Sequence, residues 1–241
     1  MNNSNLSTKL NQDISAFSQS LKEIYKDGLL SIILYGSAAS GEFVKHHSNL
    51  NILIILKSTQ LSELKKASKI VKKFRNLTPL FLTEEYITAS TDVFPIEFLD
   101  MQENYNVLYG KDVLKAVHVD LKNLRFQCEQ ELKSKLLHLK QTYLNLCSQP
   151  ESLKEPLFRA FSSILHILRN VLRLKKGIVP HYKKDDLLKE LGVNFKIDTC
   201  HWEKIQAARL KKINLNKVEI EEEFTILVNN LEDIAHDVDV L

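Results

Sequence analysis

The sequence reads as an α/β (α+β) sheet domain followed by an all-helical bundle, and three observations lead there. Two short apolar runs rich in β-branched residues, LLSIILY (29–35) and NILIILK (51–57), lie in the first half. Stretches with helical period flank and separate them. From about residue 120 onward, every structured stretch has helical period and none reads as a strand. The boundary falls within 112–122, giving domains of 1–115 and 116–241.

In residues 8–27, Leu10, Ile14, Phe17, Leu21 and Ile24 recur three and four apart, one face of a helix that Gly28 stops. LLSIILY is then a buried strand. SAASGEF forms a short helix with Ser37 as N-cap, and NILIILK is the second strand. LSELKKASKIVKKFRN (61–76) has an apolar stripe of Leu61, Leu64, Ala67, Ile70, Val71 and Phe74, with its lysines on a solvated face. LTPLFLT and VFPIEFLD are read as further strands, the second over 93–99. Pro95 sets that one near a sheet edge or a strand start. In the second half, LRFQCEQELKSKLLHLKQTYLNL is one long helix. The next opens with Pro156 in its first turn and stops at Gly177. KKDDLLKELGV, HWEKIQAARLKKI and VEIEEEFTILVNNLEDIAHDV supply three more.

The 241 residues include 44% hydrophobic and 26% charged side chains, an ordinary balance for a soluble globular protein. A net charge of +3 is too small to argue for a polyanionic partner; only a local patch can do that. Cys128, Cys147 and Cys200 are far apart and form no CxxC, which excludes a disulfide scaffold or zinc knuckle and suits a reducing compartment. The start, MNNSNLSTKLNQ, is polar and reads as no signal peptide. Runs such as NILIIL are too short to span a bilayer. The expectation is a cytoplasmic protein with no membrane partner.

The segment that carries chemistry is YGSAASGEFVKHHSNLNILIIL (35–56). Gly36 and Ser37 close one strand, and Asn49 and Asn51 open the next. Alternate strand residues face the same side, so the two Asn point together while Leu50 and Ile52 point into the core. Gly36 allows a ligand close to the backbone. Ser37 and the helix start behind it offer N–H donors and the positive end of a dipole to phosphate.

This arrangement resembles the nucleotidyltransferase superfamily of the DNA polymerase β type. Its pattern is an apolar residue, G-[GS], a gap, then Asp-x-[DE] on a strand. Here Leu34-Tyr35-Gly36-Ser37 and, after eleven residues, Asn49-Leu50-Asn51-Ile52 take those places. The helical second half resembles the substrate-side domain of kanamycin-type and other small nucleotidyltransferases. The resemblance implies transfer of a nucleoside monophosphate from a triphosphate such as ATP to a hydroxyl-bearing acceptor. In such enzymes two Mg²⁺ held by three carboxylates align the α-phosphate and neutralise charge as pyrophosphate leaves. It assigns phosphate binding to Gly36 and Ser37, and the catalytic, metal-ligand positions to Asn49, Asn51 and a third residue from a later strand, for which Glu97 is the candidate.

The chain departs from the pattern at the decisive positions. Asn is nearly the size of Asp but neutral, and Mg²⁺ favours anionic oxygen. With both Asp positions occupied by Asn, Glu97 is left as the sole anionic ligand. The expectation is a degenerate metal site with weak or absent transfer, while phosphate contact through Gly36 and Ser37 survives. Two introduced Asp-to-Asn changes would produce the same sequence, and Asp92, Asp100 and Glu42 are substitute carboxylates. The other class of reading is a regulatory module, kept for sensing nucleotide or docking a protein partner.

Lesser candidates read as structural. Lys45, His46 and His47 sit in the loop before the Asn pair as solvated residues. Arg125 and Glu129, four apart, form a surface pair, although the resemblance makes Glu129 or Glu131 a candidate base for the acceptor hydroxyl. Arg169, Arg173 and Lys176 form a solvated helix face, and His201 and Trp202 are packing residues. Ribonuclease toxins that pair with minimal nucleotidyltransferases have an Arg and a His separated by a short gap; His166 follows Arg159 by seven, which does not fit.

Overall fold

The computed structural model describes residues 6–40, 50–177 and 184–241. The chain forms two compact units, Met1–Asp120 and Leu121–Leu241.

The first unit is built on a four-stranded mixed sheet of order β3-β2-β1-β4. Its strands are β1 (Leu29–Tyr35), β2 (Leu50–Leu56), β3 (Leu77–Leu82) and β4 (Tyr105–Gly110). β1 runs antiparallel to β2 and β4, and β2 parallel to β3. One face presents Ile32, Leu34, Leu50, Ile52 and Ile54 to Phe17 and Leu21 of α1 (Thr8–Tyr25) and Ala67 of α3 (Leu61–Lys73). The opposite face presents Ile33, Leu53, Ile55 and Val107. It packs on Ile87 of α4 (Glu84–Ala89), Phe98 and Met101 of α5 (Pro95–Glu103), and Leu114. Cover on both faces explains why β1 and β2 read as continuous apolar runs rather than alternating ones. Each fully buried Ile or Leu there contributes about 1.5–3 kcal/mol of transfer free energy. The short α2 (Ser37–Ser40) follows β1.

VFPIEFLD is not a strand. Pro95 stands in the first turn of α5, where its missing N–H costs nothing and its fixed φ suits the helix. Pro95, Phe98 and Met101 are buried and recur three apart, a spacing that suits a helix. The strand that completes the sheet is β4, which the apolar pattern alone does not announce. It crosses β1 closely: a Cβ on Gly110 would lie 2.0 Å from the Leu30 carbonyl oxygen.

The second unit consists of α6 (Leu121–Leu146), α7 (Lys154–Lys176), α8 (Lys184–Phe195), α9 (Cys200–Arg209) and α10 (Lys217–Asp239). α6 packs against α7 and α10. Leu124, Leu132, Leu139, Phe161, Ile164, Leu168, Phe224, Leu227 and Leu231 are buried, and Trp202 meets Phe161 edge-on at 5.8 Å. α10 starts with a capping box in which the Asn216 side chain accepts from the Glu219 N–H and the Glu219 carboxylate from the Asn216 N–H. No described helix is long and apolar enough to cross a membrane.

Several charged residues of this unit have structural partners. Arg125 pairs with Glu129 at 2.9 Å, as their spacing suggests. Arg173 is not on a solvated face: it is buried and donates to the Asn170 Oδ1 at 2.5 Å. Lys176 pairs with Glu190. The buried Glu223 carboxylate holds Lys204 Nζ and His201 Nδ1, each at 3.0 Å.

Candidate functional site

At one end of the sheet, strand pairing aligns four side chains. Tyr35 pairs with Asn51 and with Tyr105, and Asn51 with Thr78, so Thr78, Asn51, Tyr35 and Tyr105 form a row across β3, β2, β1 and β4. Paired residues project to one side of a sheet. By alternation this is the side of Leu53 and Ile55, which α4 and α5 cover further along.

Gly36 follows Tyr35 and turns the chain with φ +75°, a backbone conformation that disfavours a side chain. Its N–H donates to the Asn104 carbonyl at 2.8 Å, and its carbonyl accepts from the Ala39 N–H at 2.8 Å as α2 begins. A Cβ on Gly36 would lie 3.5 Å from the Asn51 Nδ2, so the half-buried Asn51 amide stands directly against this turn. Two residues singled out in the sequence therefore meet. Ser37 is the first residue of α2. Asn49, Glu42, Lys45, His46 and His47 lie outside the described residues.

Glu97 is placed differently from the expectation. It is exposed on α5 rather than on a strand beside Asn51. β2 lies between β1 and β3, and the residues opposite Asn51 are Tyr35 and Thr78. None of the four strands contains an acidic residue. The row is electrically neutral. Burial pushes the Tyr35 phenol above its ordinary range. Burial does the same to Tyr105, aided by its hydroxyl donating to the Asp112 Oδ2 at 3.1 Å. Both stay protonated at neutral pH. Of the substitute carboxylates, Asp92 is exposed and Asp100 is half-buried on α5.

Among the described residues, the strands of the row offer a pair of Mg²⁺ ions no carboxylate. The oxygens of Asn51, Thr78 and Tyr35 are neutral, whereas two adjacent divalent cations need shared anionic ligands. The row and the Gly36 turn instead suit hydrogen bonding to a polar ligand.

Residues 14–104 match the family described as Nucleotidyltransferase domain. The first unit is a nucleotidyltransferase domain. A search of solved structures finds spectinomycin adenyltransferase AAD(9) from Enterococcus faecialis, determined with ATP and spectinomycin. It is similar with a TM-score of 0.60 and 12% identity, over 92% of this chain and 98% of that chain. No curated protein matches at a significant level. At this identity the likeness is one of fold, and it extends over the helical unit as well as the nucleotidyltransferase domain. Three members of the row, Tyr35, Thr78 and Tyr105, escape sequence reasoning, because strand register alone brings them beside Asn51.

Proposed function

We propose that the chain binds a nucleoside triphosphate, ATP first among them, at the Gly36 end of its nucleotidyltransferase domain. In this reading its metal site is degenerate, and transfer of a nucleoside monophosphate to a hydroxyl-bearing acceptor is weak or absent. Gly36 and Ser37 receive the phosphates. Asn49 and Asn51 stand at the metal-ligand positions without the charge a metal needs, and Glu97 approaches only from α5. The observation that carries this reading is the placement of Asn51 between Tyr35 and Thr78 in a sheet whose strands hold no carboxylate. The AAD(9) structure, holding ATP and spectinomycin, supports ATP as the nucleotide and a small polyhydroxyl compound as the acceptor class for any residual transfer. The three free, widely spaced cysteines support a cytoplasmic location.

The test is ATP binding by calorimetry with and without Mg²⁺, alongside pyrophosphate release. Metal-independent binding without pyrophosphate release is the expected result. Robust Mg²⁺-dependent pyrophosphate release by the unaltered protein would overturn the degenerate site. The regulatory reading is favoured by the same neutral row, which offers hydrogen bonds without chemistry. Binding of ATP with no transfer supports nucleotide sensing, and absence of ATP binding supports docking of a protein partner instead.

A further inference from the structure

The helical unit contains a basic groove between α6 and α7. On α6, Lys135, His138, Leu139 and Thr142 line it; on α7, Pro156, Arg159, Ala160 and Ser163 do. Each set has the same spacing, a residue followed by those three, four and seven positions on, so each is one stripe of a helix facing the other. Between packed helices such stripes are normally filled with interlocking apolar side chains. Here Ala160 and Ser163 are small, and the stripes flank an open groove of about 420 Å³, within the size range of small-molecule sites.

The charge is one-sided. Among the described residues, Lys135, His138 and Arg159 line the groove and no carboxylate does. Other α6 lysines have anionic partners: Lys133 bridges Glu129 and Asp239, and Lys140 pairs with Glu232. Glu131 and Glu155, four residues before Lys135 and Arg159, form no ion pair with them among the described residues. The floor is apolar, from Leu139, Pro156 and Ala160. The Ser163 hydroxyl donates back to the Ala160 carbonyl at 3.0 Å, which leaves the Thr142 hydroxyl as the neutral donor.

From this geometry we infer that the α6–α7 groove binds a small organic phosphate. The dianion sits between Lys135, Arg159 and His138, and an apolar body rests on Leu139, Pro156 and Ala160. Cations next to an apolar floor with no fixed counter-charge favour a ligand that supplies both charge and apolar surface. The groove's volume and short apolar floor match a small molecule.

The experiment is a titration of the isotope-labelled full chain with phenyl phosphate, read by NMR at the Thr142, Ala160 and Ser163 amides and the His138 ring. Saturable shifts at these positions are expected, with no comparable response to benzyl alcohol, which has the ring without the charge. The double variant Lys135→Gln/Arg159→Gln, with folding verified by circular dichroism, should bind at least roughly tenfold more weakly. Ala160→Leu, which fills the groove and keeps the charge, should abolish the shifts. The inference fails if phenyl phosphate gives no saturable shift, if benzyl alcohol matches it, or if either variant retains full affinity. Heparin binding that phenyl phosphate does not compete would also overturn it, by revealing an extended charged face.

Discussion

Two glycines with nearly the same backbone conformation should respond very differently to a methyl group. Gly36 has φ +75° and Gly110 φ +76°, so replacement by Ala imposes the same left-handed penalty at each, about 1–2 kcal/mol. The surroundings differ. At Gly36 the new Cβ meets the Asn51 Nδ2 at 3.5 Å, an ordinary van der Waals contact that adds little. At Gly110 it would meet the Leu30 carbonyl oxygen at 2.0 Å and the Ser31 Cα at 3.2 Å, both backbone atoms of the neighbouring strand. β1 and β4 must then part, with an overpacking cost of about 1–3 kcal/mol or more on top. Gly36→Ala should therefore lower stability by about 1–2 kcal/mol, and Gly110→Ala by about 3 kcal/mol or more. Urea denaturation followed by circular dichroism measures both. Equal losses would refute the argument, since they would mean that β4 does not cross β1 as closely as described. Gly36→Ala also tests the site. Its methyl stands between the Asn51 amide and the turn, so ATP affinity should fall beyond what partial unfolding explains, and Gly36→Val should weaken it further. Undiminished affinity in both would place the phosphates elsewhere.

Further expectations concern metal, network and pH. Asn49→Asp with Asn51→Asp should raise Mn²⁺ affinity, and adding Thr78→Asp opposite Asn51 should raise it more than either single change, as measured by calorimetry. Failure of the triple variant to bind would mean the row is closed to metal. Pro95→Ala should change stability by less than about 1 kcal/mol, because a first-turn proline forgoes no hydrogen bond; a larger loss in thermal melts would argue against the helical α5. Glu223→Gln should cost about 1–3 kcal/mol in denaturant titrations, since it removes the charge that Lys204 and His201 share in a buried setting. The Glu219 carboxylate is held below its ordinary range by the Asn216 N–H and by Lys204. A depressed folded value gives stability that is present above the unfolded pKa, about 4.3, and is lost as pH falls through the folded one. The urea midpoint of the wild type should thus fall more steeply below about pH 4 than that of Glu219→Gln.

β1, β2 and the helices of the second unit were legible because long runs with helical period, or dense apolar runs rich in β-branched residues, have few alternatives. α5 was not. Phe94, Ile96 and Phe98 alternate as a strand would, and Pro95, read as marking a sheet edge or strand start, suits a helix start equally well. A short apolar run supports both readings until tertiary contacts decide. β4 stayed hidden because YNVLYG is half-exposed and carries a polar residue beside Tyr105. The site was legible where the chain is local, at Gly36 and Asn51, and illegible where it is not. Which residue faces Asn51 depends on strand order and register, and those seat Thr78 there instead of Glu97. The groove between α6 and α7 also had its stripes written in the sequence, yet Ala160 and Ser163 read there as ordinary helix residues. The unfilled space appears only when the two helices are set side by side.

The chain contains a single tryptophan, and Trp202 is fully buried against Phe161 in the second unit. Indole emission therefore reports on one half of the molecule and is nearly blind to the other. The first unit unfolds silently in that channel, while its sheet still contributes to the far-ultraviolet signal. Where the two traces coincide, the halves melt as one cooperative body. Where the ellipticity changes before the fluorescence does, the nucleotidyltransferase domain is the weaker partner, and the interval between the two midpoints measures its independence without cutting the chain.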